Sequence, residues 1–203
     1  MRQSPKALIV FLSFCTFIFV LYCALLARWG LSWQPEQKQY GGSAVPGVSV
    51  IIPTYNDSHQ LKALLEALQI QPPAEVIIVN DGSNHEHAQR LKKLAEKHAL
   101  MLINNKGTGK KQALAAGIKA AGNDIIVQLD ADVVPGESFI NAIAAPFKDL
   151  DTKMVLGLVK REGSKNAWSK LAALDFLSLQ FAGQALAQKG KAIMGSGAAM
   201  AYR

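Results

Sequence analysis

Residues Val48–Asp57 read VSVIIPTYND, a short apolar run that meets a proline and then a polar turn. A run of this length, rich in β-branched residues, suits a strand buried on both faces, here Val48–Ile52 with Pro53 as its stop. The pattern recurs downstream. Glu75–Val79 (EVIIV) runs into Asn80-Asp81-Gly82-Ser83, Leu100–Ile103 into Asn104–Lys111 (NNKGTGKK), and Asp124–Leu129 (DIIVQL) into Asp130-Ala131-Asp132. Helix-period segments fill the gaps. Ser58–Leu68 carries Leu61, Leu64, Leu65 and Leu68 at 3–4 spacing, with Asp57 or Ser58 as its cap. Glu86–His98, Gly109–Ala121 and Glu137–Phe147 follow as helices. Lys153–Val159 is strand-like, Ala167–Gln188 is a long and mostly apolar helix pattern, and Lys191–Tyr202 is a loop leading into a strand. Repeated strand–helix–strand order predicts an α/β fold with a mainly parallel sheet and helices on both faces. Ligands of such sheets bind beyond the carboxyl ends of the strands.

Upstream, Ala7–Ala27 (ALIVFLSFCTFIFVLYCALLA) has no charged residue. As a helix these residues would span about 31 Å, enough for a bilayer core. Arg2 and Lys6 precede the run; Arg28, Trp29 and Trp33 follow it, where aromatic rings favour the headgroup zone. A cleaved signal peptide has a shorter apolar region ending in small residues, whereas this run exits into Ala-Arg-Trp. The expectation is an N-terminal transmembrane anchor over residues 1–28 and a tether over 29–47, polar and turn-rich from Gln34 to Gly47. A catalytic-type domain would then occupy 48–203. Cys15 and Cys23 fall inside the apolar run and read as apolar filler. Positive-inside counting is a tie: Arg2 and Lys6 stand before the span, Arg28 and Lys38 after it.

The rest of the composition narrows the class. The chain has 203 residues, 50% hydrophobic and only 18% charged, which excludes intrinsic disorder, and two cysteines cannot build a disulfide framework. Net charge is +7. Setting aside Arg2, Lys6 and Arg28 leaves 19 basic and 15 acidic residues, an excess too mild and scattered to argue for nucleic acid. Arg90, Lys92, Lys93 and Lys97 read as the solvated face of a helix whose Leu91, Leu94 and Ala95 turn inward. His85 and His87, two residues apart, diverge on a helix and read as surface residues rather than metal ligands.

Chemistry is concentrated at the strand ends. Asp130 and Asp132 close an apolar strand, where paired carboxylates are costly unless a cation offsets them. Mg²⁺ or Mn²⁺ fits, since hard cations take one or two carboxylates plus phosphate oxygens; a plain Asp turn before Val133–Gly136 explains the same residues. Gly107–Lys111 opens a helix, so its backbone N–H groups with Lys110 suit a phosphate, although a surface Gly-Lys turn has the same composition. It is not a P-loop, because Lys111 stands where Ser or Thr is required, and no GxGxxG follows the first strand. Asp81 can accept from a nucleobase N–H or simply form an Asx-turn with Gly82 and Ser83.

Taken in order, VSVIIPTYND, VIIVNDGS, GKKQALAAGI and DIIVQLDADVVP resemble the family 2 glycosyltransferases with the GT-A nucleotide-sugar fold, from about Val48 to the end of the chain. The resemblance implies that Pro53 and Tyr55 line a nucleobase and ribose pocket and that Asp81 contacts the base of a UDP- or GDP-sugar. It implies that Lys110 lies near the donor diphosphate, Asp130 near ribose or sugar, and Asp132 on Mn²⁺ or Mg²⁺. Gly195-Ser196-Gly197 looks like the acceptor-side loop. Implied too are a metal-dependent, inverting transfer, a lipid-linked or cell-envelope polysaccharide acceptor, a cytoplasmic catalytic domain and no nucleic-acid partner.

Departures accompany the likeness. Asn80 replaces an Asp common before the base-binding Asp, and Ala115 stands where many relatives have Asn. The family's carboxylate base is expected beyond Arg203, since Glu162 and Asp175 sit in no matching motif; Asp175, on an apolar helix pattern, reads as a capped or paired structural residue. A binding protein without turnover is therefore the alternative reading. A nucleotidyltransferase would need a basic Gly-rich loop after the first strand, where this chain has PTYND.

Overall fold

The computed structural model describes residues 5–32, 45–161, 166–191 and 194–203. Arg2, Trp33, Lys38, Glu162 and the part of the tether from Gln34 to Ala44 lie outside the described residues. The chain divides into two compact units, residues 1–37 with 160–195, and residues 38–159 with 196–203.

The second unit holds the sheet. Its elements are β1 (Val48–Thr54), α2 (Leu61–Ile70), β2 (Glu75–Asn80), α3 (His85–His98), β3 (Met101–Asn104), α4 (Lys110–Ala120), β4 (Ile125–Leu129), α5 (Phe139–Ala144) with a 3₁₀ turn over Ala145–Lys148, β5 (Met154–Leu156) and β6 (Ala199–Tyr202). The first unit holds α1 (Pro5–Ser32) and α6 (Ala167–Gln188).

Strand order is β3-β2-β1-β4-β6-β5. β1 pairs in parallel with β2 and β4, and β2 with β3, as the crossover pattern predicts. The other edge departs from it. β6 enters between β4 and β5 and runs antiparallel to both, with Leu129 opposite Ala199 and Leu156 opposite Met200. The sheet is therefore mixed, with its parallel part centred on β1.

Alternation on β1 separates two cores. Val48, Val50 and Ile52 join Leu61, Leu64, Leu65 and Leu68 of α2, Leu91 of α3, and Ile143 and Phe147, all buried. Ile51 faces the other way, with Ile77, Val79, Ile126 and Ala113 of α4. Gly117 explains how closely α4 lies on the sheet: a Cβ there would meet Ile51 Cγ2 at 2.5 Å. Arg90, Lys92, Lys93 and Lys97 are exposed on α3 while Leu91 and Ala95 are buried, as its periodicity predicts.

Three local expectations are corrected. Pro53 does not stop β1; the strand continues to Thr54, with Pro53 opposite Val79. Thr54 O accepts from Asp81 N at 2.8 Å, so Pro53, one residue earlier, turns its nitrogen away from β2. On that side the ladder to β4 has already ended at Ile51, so the missing N–H breaks no pairing. Neither Asp57 nor Ser58 caps α2 through its side chain; the helix begins at Leu61, after a turn closed by Gln60 N on Asp57 O at 2.9 Å. Ser58 Oγ instead bonds His87 Nδ1 at 2.8 Å. His87 is thereby half-buried, a link from α3 to the turn before α2 rather than a surface residue, while His85 is exposed.

In the first unit, α1 contains Lys6–Arg28, a 23-residue segment of mean hydropathy 2.7 that is long and apolar enough to cross a membrane. Most of its side chains are exposed, Cys15 and Cys23 included, both free thiols. α6 packs against α1, and Tyr22 donates its hydroxyl to Asp175 Oδ1 at 2.5 Å. Asp175 thus has the paired role its position in an apolar helix suggested. Nor is the positive excess scattered. The described residues of this unit carry Lys6, Arg28, Lys160, Arg161, Lys170, Lys189 and Lys191 with Asp175 as their one acid.

Candidate functional site

The carboxyl ends of β1, β2 and β4 open onto one cavity of about 320 Å³, lined by Pro53, Thr54, Tyr55, Asp57, Gln60, Asp81, Lys110, Asp130, Ala131 and Asp132. Pro53, Tyr55, Asp81, Lys110, Asp130 and Asp132, far apart in sequence, therefore share one wall. Tyr55 is 59% exposed, a ring face open to a planar ligand.

Backbone demands fix the rim. Asn56 has φ 58°, in the left-handed region that Asn tolerates better than most residues. Its N–H donates to Ser83 Oγ at 3.0 Å and its Oδ1 accepts from Asn84 N at 2.9 Å. The loops after β1 and β2 are thus stitched together, and Asn84 in turn caps α3 by accepting from His87 N at 3.0 Å. Asn80 shows why an amide serves here. Its Nδ2 donates to Asn104 Oδ1 at 2.9 Å while its Oδ1 accepts from Ser83 N at 2.9 Å. A carboxylate could accept but not donate.

Asp81 ties a third loop to the same point. Its Oδ1 accepts from Asn105 Nδ2 at 2.7 Å and from Gly109 N at 3.0 Å. Gly109 caps α4 with φ 94°, a conformation open to glycine, and Lys110, the first residue of the helix, lines the cavity. Lys110 Nζ lies 2.5 Å from Asp130 Oδ1. This pair is half exposed, so it contributes little to stability.

Asp132 is exposed on the cavity wall. Among the described residues no group of three or more His, Cys, Asp or Glu could by itself hold a metal. The donor set is hard carboxylate oxygen from one or two residues, which suits Mg²⁺ or Mn²⁺ only when a ligand's phosphate oxygens complete the shell.

Gly195-Ser196-Gly197 does not line this cavity. Gly197 O accepts from Gln128 Nε2, Ala198 O accepts from Asp130 N at 3.0 Å, and Ala198 N donates to Ser196 Oγ at 3.3 Å. Ser196 and Gly197 are thereby tied to the end of β4, while Gly195 falls in the other unit and is exposed. The sequence reading missed Thr54, Asp57 and Gln60 as lining residues. Stopping β1 at Pro53 hid Thr54, and starting the helix at Ser58 hid Gln60 inside it.

A mixed α/β sheet with acidic strand ends around β1 is consistent with a GT-A fold, and comparison with known proteins shows that fold. The family model for Glycosyl transferase family 2 matches residues 49–203, so the chain belongs to that family. Among curated relatives, the undecaprenyl-phosphate 4-deoxy-4-formamido-L-arabinose transferase of Pectobacterium atrosepticum is 31% identical over 157 residues, covering 72% of this chain and 47% of that protein. The same-named enzyme of Proteus mirabilis is 32% identical over 140 residues, covering 64% and 42%. This chain spans about half the length of the curated relatives it matches. Among solved structures, a mannosyltransferase from Pyrobaculum calidifontis in complex with GDP-Man and Mn²⁺ has a TM-score of 0.66 at 24% identity, over 90% of this chain and 51% of that one. Glucosyl-3-phosphoglycerate synthase from Mycobacterium tuberculosis, in complex with Mn²⁺, UDP and phosphoglyceric acid, has a TM-score of 0.53 at 18% identity, over 84% and 61%. Both share the fold.

Proposed function

We propose that this chain is a membrane-anchored glycosyltransferase that takes a sugar from a UDP- or GDP-linked donor and passes it, with inversion, to a lipid phosphate. The observation that carries this reading is the single cavity that gathers Asp81, Lys110, Asp130 and Asp132 at the ends of three parallel strands. Tyr55 and Pro53 offer flat apolar surface to a base and ribose, and Asp81, held through Oδ1 by Asn105 and Gly109, accepts from base N–H groups. Lys110 and the start of α4 attract the diphosphate. Its present partner, Asp130, then becomes available to the ribose or sugar. Asp132 would hold Mn²⁺ or Mg²⁺, and the chemistry such an ion would supply there is Lewis-acid stabilisation of the leaving diphosphate. Ser196 and Gly197, fastened to β4, form the acceptor side.

The lipid-phosphate acceptor draws on the undecaprenyl-phosphate relatives and on α1, whose apolar length would hold the chain at the surface where such a lipid resides. Soluble nucleotide sugars place the domain on the cytoplasmic side. The test is transfer of radiolabelled sugar from UDP- and GDP-sugars to undecaprenyl phosphate in vesicles bearing the purified chain. The expected result is a metal-dependent lipid product that Asp132→Ala abolishes. Metal-independent transfer, or a folded chain that binds neither donor, contradicts the reading; donor binding without transfer to any lipid phosphate selects the alternative, a binding protein without turnover.

A further inference from the structure

We infer that α6 is a second membrane element: its N-terminal half lies in the bilayer interface beside α1 and contacts lipid directly. Three observations carry this. First, its apolar side chains point outward. Trp168 is 81% exposed, Leu171 56% and Leu174 61%, although the C-terminal half of the same helix buries Ala182, Gly183 and Ala185. In water such a stripe would be a large uncompensated apolar patch.

Second, the stripe is attached to α1 at a defined depth. Trp168, Leu171 and Asp175 follow i, i+3, i+7 spacing and share one face. Asp175 accepts the Tyr22 hydroxyl, and Tyr22 lies five residues inside the apolar run that ends at Ala27, about 7.5 Å along the helix. A carboxylate at that depth needs a partner, and the phenol supplies one. Leu171 and Leu174, each within about one turn of Asp175, then meet the acyl-chain boundary.

Third, the charge fits. Lys160, Arg161, Lys170, Lys189 and Lys191 flank or lie on α6, and Asp175 is the unit's one acid among the described residues. Basic residues beside an apolar helix face suit an anionic bilayer surface, whereas a protein partner would need its own acidic rim.

The inference rests on α1 spanning the membrane and is independent of the donor site. It is tested by spin labels on the full chain, with Cys15 and Cys23 changed to Ala, in vesicles of phosphatidylcholine with phosphatidylglycerol. Labels are placed singly through Leu171→Cys, Leu174→Cys and, as the α1 reference, Phe17→Cys. Each site is more than half exposed, so the fold accommodates the label. Collision with oxygen, which concentrates in lipid, is compared with collision with a water-soluble nickel complex. The expected result is an oxygen-to-nickel ratio several-fold above that of free nitroxide at Leu171 and Leu174, on the lipid side as at Phe17, and falling when phosphatidylglycerol is omitted. Water-like ratios at Leu171 and Leu174 with a lipid-like Phe17 overturn the inference and leave the anchor standing. Shielding from both reagents overturns it in favour of a protein cover, a second copy or another segment. A water-like Phe17 overturns anchor and inference together.

Discussion

The two units dispose of apolar side chains in opposite ways. In the sheet unit Val50, Ile51, Ile52, Leu61 and Leu64 are 0% exposed, whereas in the helical unit Phe14 is 62%, Phe19 63% and Trp168 81% exposed. Charge divides along the same line. Acids and bases are interspersed through the sheet unit, and bases dominate the helical one. A whole-chain hydropathy or net charge averages two regions built for different solvents, and so describes neither.

The largest separating effect comes from the core. Phe147, 1% exposed, is among the largest fully buried side chains of the sheet unit's major cluster. Phe147→Ala is expected to cost about 3–5 kcal/mol in denaturant unfolding of that unit, while vesicle association is retained. Loss of both would show that the units are one cooperative structure. The reciprocal change is Phe17→Lys, which places a charge mid-way along α1. It is expected to cost about 2.5–3.5 kcal/mol of insertion, read by flotation with vesicles, and to leave nucleotide binding intact. A smaller effect is expected at the loop seam. Asn84→Ala removes the α3 cap and should destabilise the sheet unit by about 1 kcal/mol, with Asn84→Asp recovering most of it.

The smallest concerns Tyr202. Burial on β6 raises its phenol above the ordinary value of 10.0. The unfolded chain therefore ionises first as pH rises, so the stability this residue contributes is intact below pH 10.0 and is lost as pH climbs from there through the folded value. Tyr202→Phe should flatten that alkaline decline and change little at neutral pH. An unchanged decline would assign it to other groups.

Much of the site was legible because an apolar strand ending in Asn, Asp or Gly locates a residue in space as well as in sequence. Asp81, Lys110, Asp130 and Asp132 could each be assigned to one rim without coordinates. Features that depend on distant pairing were not legible. The antiparallel entry of β6 between β4 and β5 leaves no mark in Ala199–Tyr202, and the innocuous Pro53 is understood only from which side its nitrogen faces. Gln60 reached the cavity because the chain forms a turn before α2, a choice that leucine spacing does not register. The basic character of the α6 region appeared only once residues 1–37 and 160–195 were seen as one unit.

The most direct test of the central claim, that the strand ends form a metal-assisted nucleotide-diphosphate site, is calorimetric titration of the detergent-solubilised chain with UDP and with GDP. Each is run with and without Mn²⁺, on the natural chain and on Asp132→Ala. The account predicts binding of one nucleotide that strengthens at least tenfold with Mn²⁺, negligible binding of Mn²⁺ alone, and loss of the metal effect in the variant. A folded chain that binds neither nucleotide, or binds one equally well without metal and in Asp132→Ala, would contradict it.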